Sequence, residues 1–139
     1  MANTVSTRYL YPPDWDGFYE DGPPPPRRYI AQITCVSDGT AETDLIKFAI
    51  GDFLTQQGIQ ATRFVIESID CTMYGFTSVK LEFDRAPDSV IAVFGDSGYI
   101  SFPGGLTDTE EGGTGNITVT TAGVDSGDNY DIRITFRVK

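Results

Sequence analysis

A chain of 139 residues with 40% hydrophobic content is long enough for one domain with its own core and too short for two. Its formal charge of −10 argues against a free-standing nucleic-acid binder, because phosphate contacts need clustered cations and the only adjacent basic pair is Arg27-Arg28. No apolar run is long enough to span a bilayer, and the N-terminus lacks a basic-then-apolar leader pattern, so the chain is expected to be made and used in a cytosol without a membrane partner.

Residues 1–28 form one compositional block, rich in aromatics and carboxylates and ending in the run Pro23 to Pro26. Consecutive prolines favour a stiff polyproline II rod that makes no hydrogen bonds of its own, so the block reads as an extended N-terminal arm supplying no strand to the body. Its aromatics Tyr9, Tyr11, Trp15, Phe18 and Tyr19, with Arg27 and Arg28, are the candidate contact residues toward a partner or a neighbouring subunit. Large rings on a pre-extended segment anchor an interface at a reduced entropic cost. The competing reading is that the arm folds back and caps its own body.

From Tyr29 the character changes to short strand-like runs separated by turn residues, and the body is assigned to 29–139. "RYIAQITCV" (28–36) reads as a strand closed by the turn Ser37-Asp38-Gly39. "TDLIKFAI" (43–50) follows, with Leu45 and Lys47 on one side and Ile46, Phe48 and Ile50 on the other. "GDFLTQQG" (51–58) reads as a helical turn or loop. "TRFVIESIDCTMYGF" (62–76) carries apolar residues on both faces, which predicts a bent strand with a bulge or one buried on both sides.

"SVKLEFD" (78–84) alternates, with Val79, Leu81 and Phe83 inward and Lys80, Glu82 and Asp84 outward. "SVIAVF" (89–94) and "YISF" (99–102) are separated by the tight-turn sequence "GDSG", and "PGGLTDTEEGGTG" is expected to be the longest loop of the body. "NITVTT" (116–121) leads through "AGVDSGDN" into "YDIRITFRV", where Tyr130, Ile132, Ile134, Phe136 and Val138 share one face. About eight strands with no convincing helix predict an all-β fold, an antiparallel β-sandwich of jelly-roll-like type.

Catalytic chemistry is hard to build from these residues. The absence of histidine removes the commonest general base and metal ligand together with every Ser-His or Cys-His nucleophile. Cys35 and Cys71 match no zinc spacing and read as two buried thiols. Glu67 with Asp70, or Glu82 with Asp84, could be imagined as a glycosidase pair, but neighbouring carboxylates on a strand read first as a solvated face. Asp125, Asp128, Asn129 and Asp131 could surround calcium, yet their spacing is not that of an EF-hand loop and a solvated turn is the simpler reading. The expectation is a protein that is not an enzyme and holds no metal or cofactor.

The stretches "YPPDWDGFYEDGPPP", "RRYIAQITCVSDGTAETD", "GFTSVKLEFDRAPDSVIAVF" and "EGGTGNITVTTAGVDSGDNYDIRITFRVK" resemble small structural proteins of tailed phages, over nearly the whole chain and least at 51–62. The resemblance carries no catalytic motif. It implies a virion protein of the capsid decoration (cement) type, located on the phage head after synthesis in the bacterial host cytoplasm. Its partner would be the major capsid protein, whose subunits it would bridge, and it would assemble as a homotrimer. The alternative is a carbohydrate- or receptor-binding module of a tail or head fibre, with Tyr74, Tyr99 and Trp15 as stacking platforms.

Overall fold

The computed structural model describes residues 3–11, 28–43, 45–55, 57–85, 89–108 and 113–139. Among them nine strands run in chain order: β1 (Thr4–Tyr11), β2 (Tyr29–Asp38), β3 (Leu45–Phe48), β4 (Phe64–Tyr74), β5 (Ser78–Phe83), β6 (Ser89–Phe94), β7 (Gly98–Leu106), β8 (Ile117–Ala122) and β9 (Ser126–Val138). They form two antiparallel sheets, a five-stranded one ordered β1-β2-β9-β4-β7 and a four-stranded one ordered β3-β8-β5-β6. From β2 onward the chain passes repeatedly between the sheets, so that β9 inserts between β2 and β4 while β8 inserts between β3 and β5. That is jelly-roll connectivity.

Side-chain alternation explains why the sheets face each other. On β2, Tyr29, Ala31, Ile33 and Cys35 are buried, and on β9 Tyr130, Ile132, Ile134 and Phe136 are buried, as a two-residue period requires. Val79, Leu81 and Phe83 of β5 meet them from the opposite sheet, with Ile117 and Val119 of β8. One end of the core is aromatic. Phe136 stacks on Tyr29 at 5.3 Å between ring centroids and meets Phe64 edge-on at 5.2 Å, each contact adding to simple burial.

Three expectations are corrected. The arm does supply a strand: Thr4–Tyr11 pairs antiparallel with β2 and forms the edge of the five-stranded sheet. Its alternating residues are compatible with an edge position, which the downstream prolines obscured. The 51–58 stretch is a turn and loop as expected, with a 3-10 turn at Ile50–Asp52, and it sends Phe53 into the core, 5.2 Å from Phe64. Gln60 pins this segment, its Nε2 donating to the carbonyls of Ile50, Phe53 and Ala61 at 3.2, 3.0 and 3.1 Å.

In β3 the register shifts between Ile46 and Phe48, so the simple alternation fails. Leu45 and Ile46 are exposed while the Lys47 side chain is only 3% exposed, turned inward to a Glu42 carboxylate that is 2% exposed. On β5, Glu82 faces outward yet is buried, with Thr120 Oγ1 at 3.3 Å and Lys80 Nζ at 3.5 Å from its Oε1. The predicted bulge in the long fourth strand is present, between Ile66 and Ser68.

Candidate functional site

The outward face of the five-stranded sheet follows from register alone. Arg8 lies opposite Gln32, Gln32 opposite Arg133, Arg133 opposite Asp70 and Asp70 opposite Tyr99, so one row of side chains crosses all five strands. At the usual strand separation that row is about 19 Å long. Its first half is tied together: Arg8 Nε donates to Gln32 Oε1 at 2.8 Å and Gln32 Nε2 donates to Asp131 Oδ2 at 2.8 Å. Arg133 Nε stands 3.9 Å from Asp131 Oδ1. A side chain already held by its neighbours loses little freedom when a ligand arrives.

Two tyrosines project from this face into solvent. Tyr74, opposite Asn129 at the end of β4, is 73% exposed, and Tyr99 on β7 is 67% exposed. Tyr11 on β1 is exposed as well. Rings left in water beside ordered polar groups offer a flat apolar surface and a hydrogen-bonding rim in one place.

At the other end of the face the β4–β7 ladder opens. Between the pairs Ser68–Ser101 and Ile66–Leu106, β4 has one unpaired residue, Glu67, while β7 has four, Phe102 to Gly105. The extra β7 residues arch over the outward side of β4 and help bury Val65. Gly104 and Gly105 take φ of +81° and +89°, and a Cβ on Gly105 would collide with Val65 Cγ1, so this arch needs its glycines. Beside it lies an open cleft of about 390 Å³, bordered by Arg28, Glu67, Arg137 and the arch. Glu67 is clamped from both sides, with Arg28 Nε 2.9 Å from Oε2 and Arg137 Nε 3.5 Å from Oε1. Bulges that open a sheet in this way recur beside functional sites.

The sequence-level candidates distribute unevenly over this geometry. Tyr9 points to the core side, its ring 6.2 Å from that of Tyr29, and burial raises its pKa above the usual phenol value, with Tyr29 and Asp52 contributing less. Tyr11 and Arg28 lie on the outward face, and Arg28 pairs with its own body through Glu67. Trp15, Phe18, Tyr19 and Arg27 lie outside the described residues. Glu67 and Asp70 do not form a carboxylate pair, because Glu67 serves the two arginines and Asp70 lies in register with Arg133.

The Asp125–Asp131 turn is not simply solvated either. Asp128 is buried, and its Oδ2 accepts the Asp125 N–H at 2.7 Å. Among the described residues no group of three or more His, Cys, Asp or Glu side chains is placed to hold a metal ion. Sequence reasoning missed the clamp and its cleft, since the register shift that opens them depends on pairing between strands about thirty residues apart.

A second polar cluster lies inside the sandwich. Lys47 Nζ is 2.5 Å from Glu42 Oε2, and Tyr130 Oη donates to Glu42 Oε1 at 2.5 Å. The Glu42 N–H donates to Thr121 Oγ1 at 2.9 Å, and Lys47 Nζ lies 5.9 Å from the centre of the Tyr130 ring. Burial, then the Glu42 hydrogen bond and charge, raise the Tyr130 pKa well above its usual range. Burial, followed by the Glu42 charge, pushes the neighbouring Cys35 thiol up to about 11, and burial pushes Cys71 to about 11. Closed off from solvent, these groups tie the two sheets and have no ligand-facing surface.

No family model and no curated protein matches the chain. Solved structures of similar shape include a family 29 carbohydrate-binding module, 11% identical, covering 97% of this chain and 89% of that one with a TM-score of 0.40. A mutant of a family 29 module, 10% identical, covers 98% and 92% with a TM-score of 0.40. Another mutant, complexed with cellulohexaose, is 10% identical and covers 99% and 92% with a TM-score of 0.40.

Proposed function

We propose that this protein is a non-catalytic carbohydrate-binding module whose site is the outward face of the five-stranded sheet. The observation that carries this reading is the placement of exposed Tyr74 and Tyr99 on the same face as the hydrogen-bonded Arg8, Gln32 and Asp131 and the Arg133 beside them. A sugar ring has a C–H face and a rim of hydroxyls. The first suits an exposed ring and the second suits carboxylate, amide and guanidinium groups that both donate and accept. The distance along β4 from Tyr74 to Glu67 is roughly 23 Å at the usual rise per residue, so the face suits an oligosaccharide better than a single sugar.

The test is a panel of soluble polysaccharides presented to the full chain, followed by Tyr74→Ala and Tyr99→Ala. Binding to at least one neutral polysaccharide is expected, weakened about tenfold or more by either substitution on the scale of an interface hot spot. Both rings are mostly in solvent, so thermal stability should stay within about 0.5 kcal/mol of the parent. Retained binding in both variants would remove this face from consideration.

A second reading follows the phage-protein resemblance, in which a homotrimer on the head surface bridges major capsid protein subunits. The feature that favours it is the outward side of the four-stranded sheet, where Ile46, Val90 and Val93 are exposed and suit contact with another protein. Binding of the full chain to empty heads, with copies at local three-fold positions, would support it. Lost head binding in Val90→Lys/Val93→Lys, with glycan binding intact, would separate the two surfaces.

A further inference from the structure

We propose that the open cleft beside the β7 arch is an anion subsite that takes the carboxylate of an acidic sugar, a refinement resting on the carbohydrate reading above. Arg28 and Arg137 converge on Glu67 through their Nε atoms, and both side chains remain partly exposed. A guanidinium has five donors in a planar fork, so a single carboxylate held at one nitrogen of each leaves donors on both for a second one. Two cations against one anion give the site a local charge of +1 on a chain of −10.

The cleft of about 390 Å³ adjoins both arginines, within the range of small-ligand pockets. Gly104 and Gly105 leave the rim without side chains, while Pro103 and Phe102 supply an apolar border for a sugar ring. Ser101, two residues from Tyr99 on β7, also borders the cleft, which places it about 7 Å along the strand from the exposed ring.

The charge balance narrows the ligand further. At physiological salt the surrounding acid excess is screened beyond roughly 8 Å, so a lone carboxylate in the cleft feels mainly the two arginines. A polyanion laid across the whole molecule would meet the net negative field. The ligand class is therefore a neutral glycan carrying a single uronate unit at an end or branch.

Methyl glucuronide and methyl glucoside, alike except for the carboxylate, are titrated into the isotope-labelled full chain and followed by amide NMR. The glucuronide is expected to shift the amides of Ser101, Gly104 and Gly105 and to bind on the order of tenfold tighter than the glucoside. Glu67→Gln should widen that preference several-fold by leaving both cations uncompensated. A purely structural clamp would show no such gain. Arg137→Ala should abolish the preference, and Arg28→Ala is a second route should that variant not fold.

Equal affinity for the two sugars, or shifts confined to other parts of the chain, would overturn the subsite. If polysaccharide binding depends on Tyr74 and Tyr99 but no glucuronide preference appears, the subsite alone falls. If the preference appears while both tyrosines prove dispensable, the face reading falls and the anion site stands.

Discussion

Gly105 shows how much a single residue decides in this protein. At φ +89° and pressed against Val65, it lets β7 leave the β4 ladder and arch over Glu67. Gly105→Ala is expected to cost about 1–3 kcal/mol from backbone strain alone. It should also shift the resonances around Arg137, since the collision with Val65 must be relieved by moving the arch. Thermal unfolding and NMR check both parts. The thiols offer a second residue-scale test, with the sign fixed by burial. Cys35 and Cys71 hold their protons to about pH 11 in the fold, against 9.0 ordinarily. Unfolding therefore releases protons above pH 9, so stability is fully present below that value and falls as pH rises from 9 toward 11. Denaturant midpoints measured across this window should decline. Alkylation at pH 8 should be slow in the folded chain and fast in the unfolded one.

Among the elements, β1 carries the clearest consequence. It shields the edge of β2, seats Tyr9 against Tyr29, and places Arg8 on Gln32. Asn3 extends the attachment, its Oδ1 accepting the Asp38 N–H at 3.0 Å and its Nδ2 donating to the Thr40 carbonyl at 3.0 Å. A chain starting at Arg28 still contains eight of the nine strands, β2 to β9, so it should fold as a β protein with cooperative unfolding. It should also melt at lower temperature and self-associate, because β2 then presents an unprotected edge. Circular dichroism and light scattering against the full chain test this. Collapse of the truncated chain would mean that β1 belongs to the core and not to its margin.

For the molecule as a whole, the two sheets are joined by more than apolar contact. Glu42 precedes β3, Lys47 lies on β3 in the four-stranded sheet, Tyr130 lies on β9 in the five-stranded sheet, and Thr121 lies on β8. Removing one member of a buried ion pair leaves the other charge unpaired, so Glu42→Ala is expected to lose about 3–5 kcal/mol. That is a large part of the roughly 5–15 kcal/mol that holds an ordinary domain. Replacing the pair together, Glu42→Gln with Lys47→Met, should recover most of the loss, and urea titration of the three chains measures the difference. Chelation with EDTA should leave the thermal midpoint unchanged, since among the described residues no three acidic or thiol side chains are grouped to hold a metal ion.

Local pattern was sufficient wherever a side chain's fate follows from strand period. The inward face of β9, the core residues of β2 and β5, and the all-β class are all statements about alternation, which is written in consecutive residues. That the long fourth strand is bent by a bulge or buried on both sides was legible for the same reason, as a double apolar pattern in one run, but the position of the bulge at Glu67 was not. What alternation cannot encode is which distant strand pairs with which, and the candidate site is made of such pairings. Arg8, Gln32, Arg133, Asp70 and Tyr99 become one row only when five strands take their order and register. Glu67 and Arg137, seventy residues apart, meet only because β9 inserts beside β4. Lys47 and Glu82 were misplaced because a charge is expected outside until a partner of opposite sign or a neighbouring hydroxyl appears within reach, and those partners are brought by other strands. The residue types and the fold class were thus set by neighbours in sequence, while the site and its charge balance were set by neighbours in space.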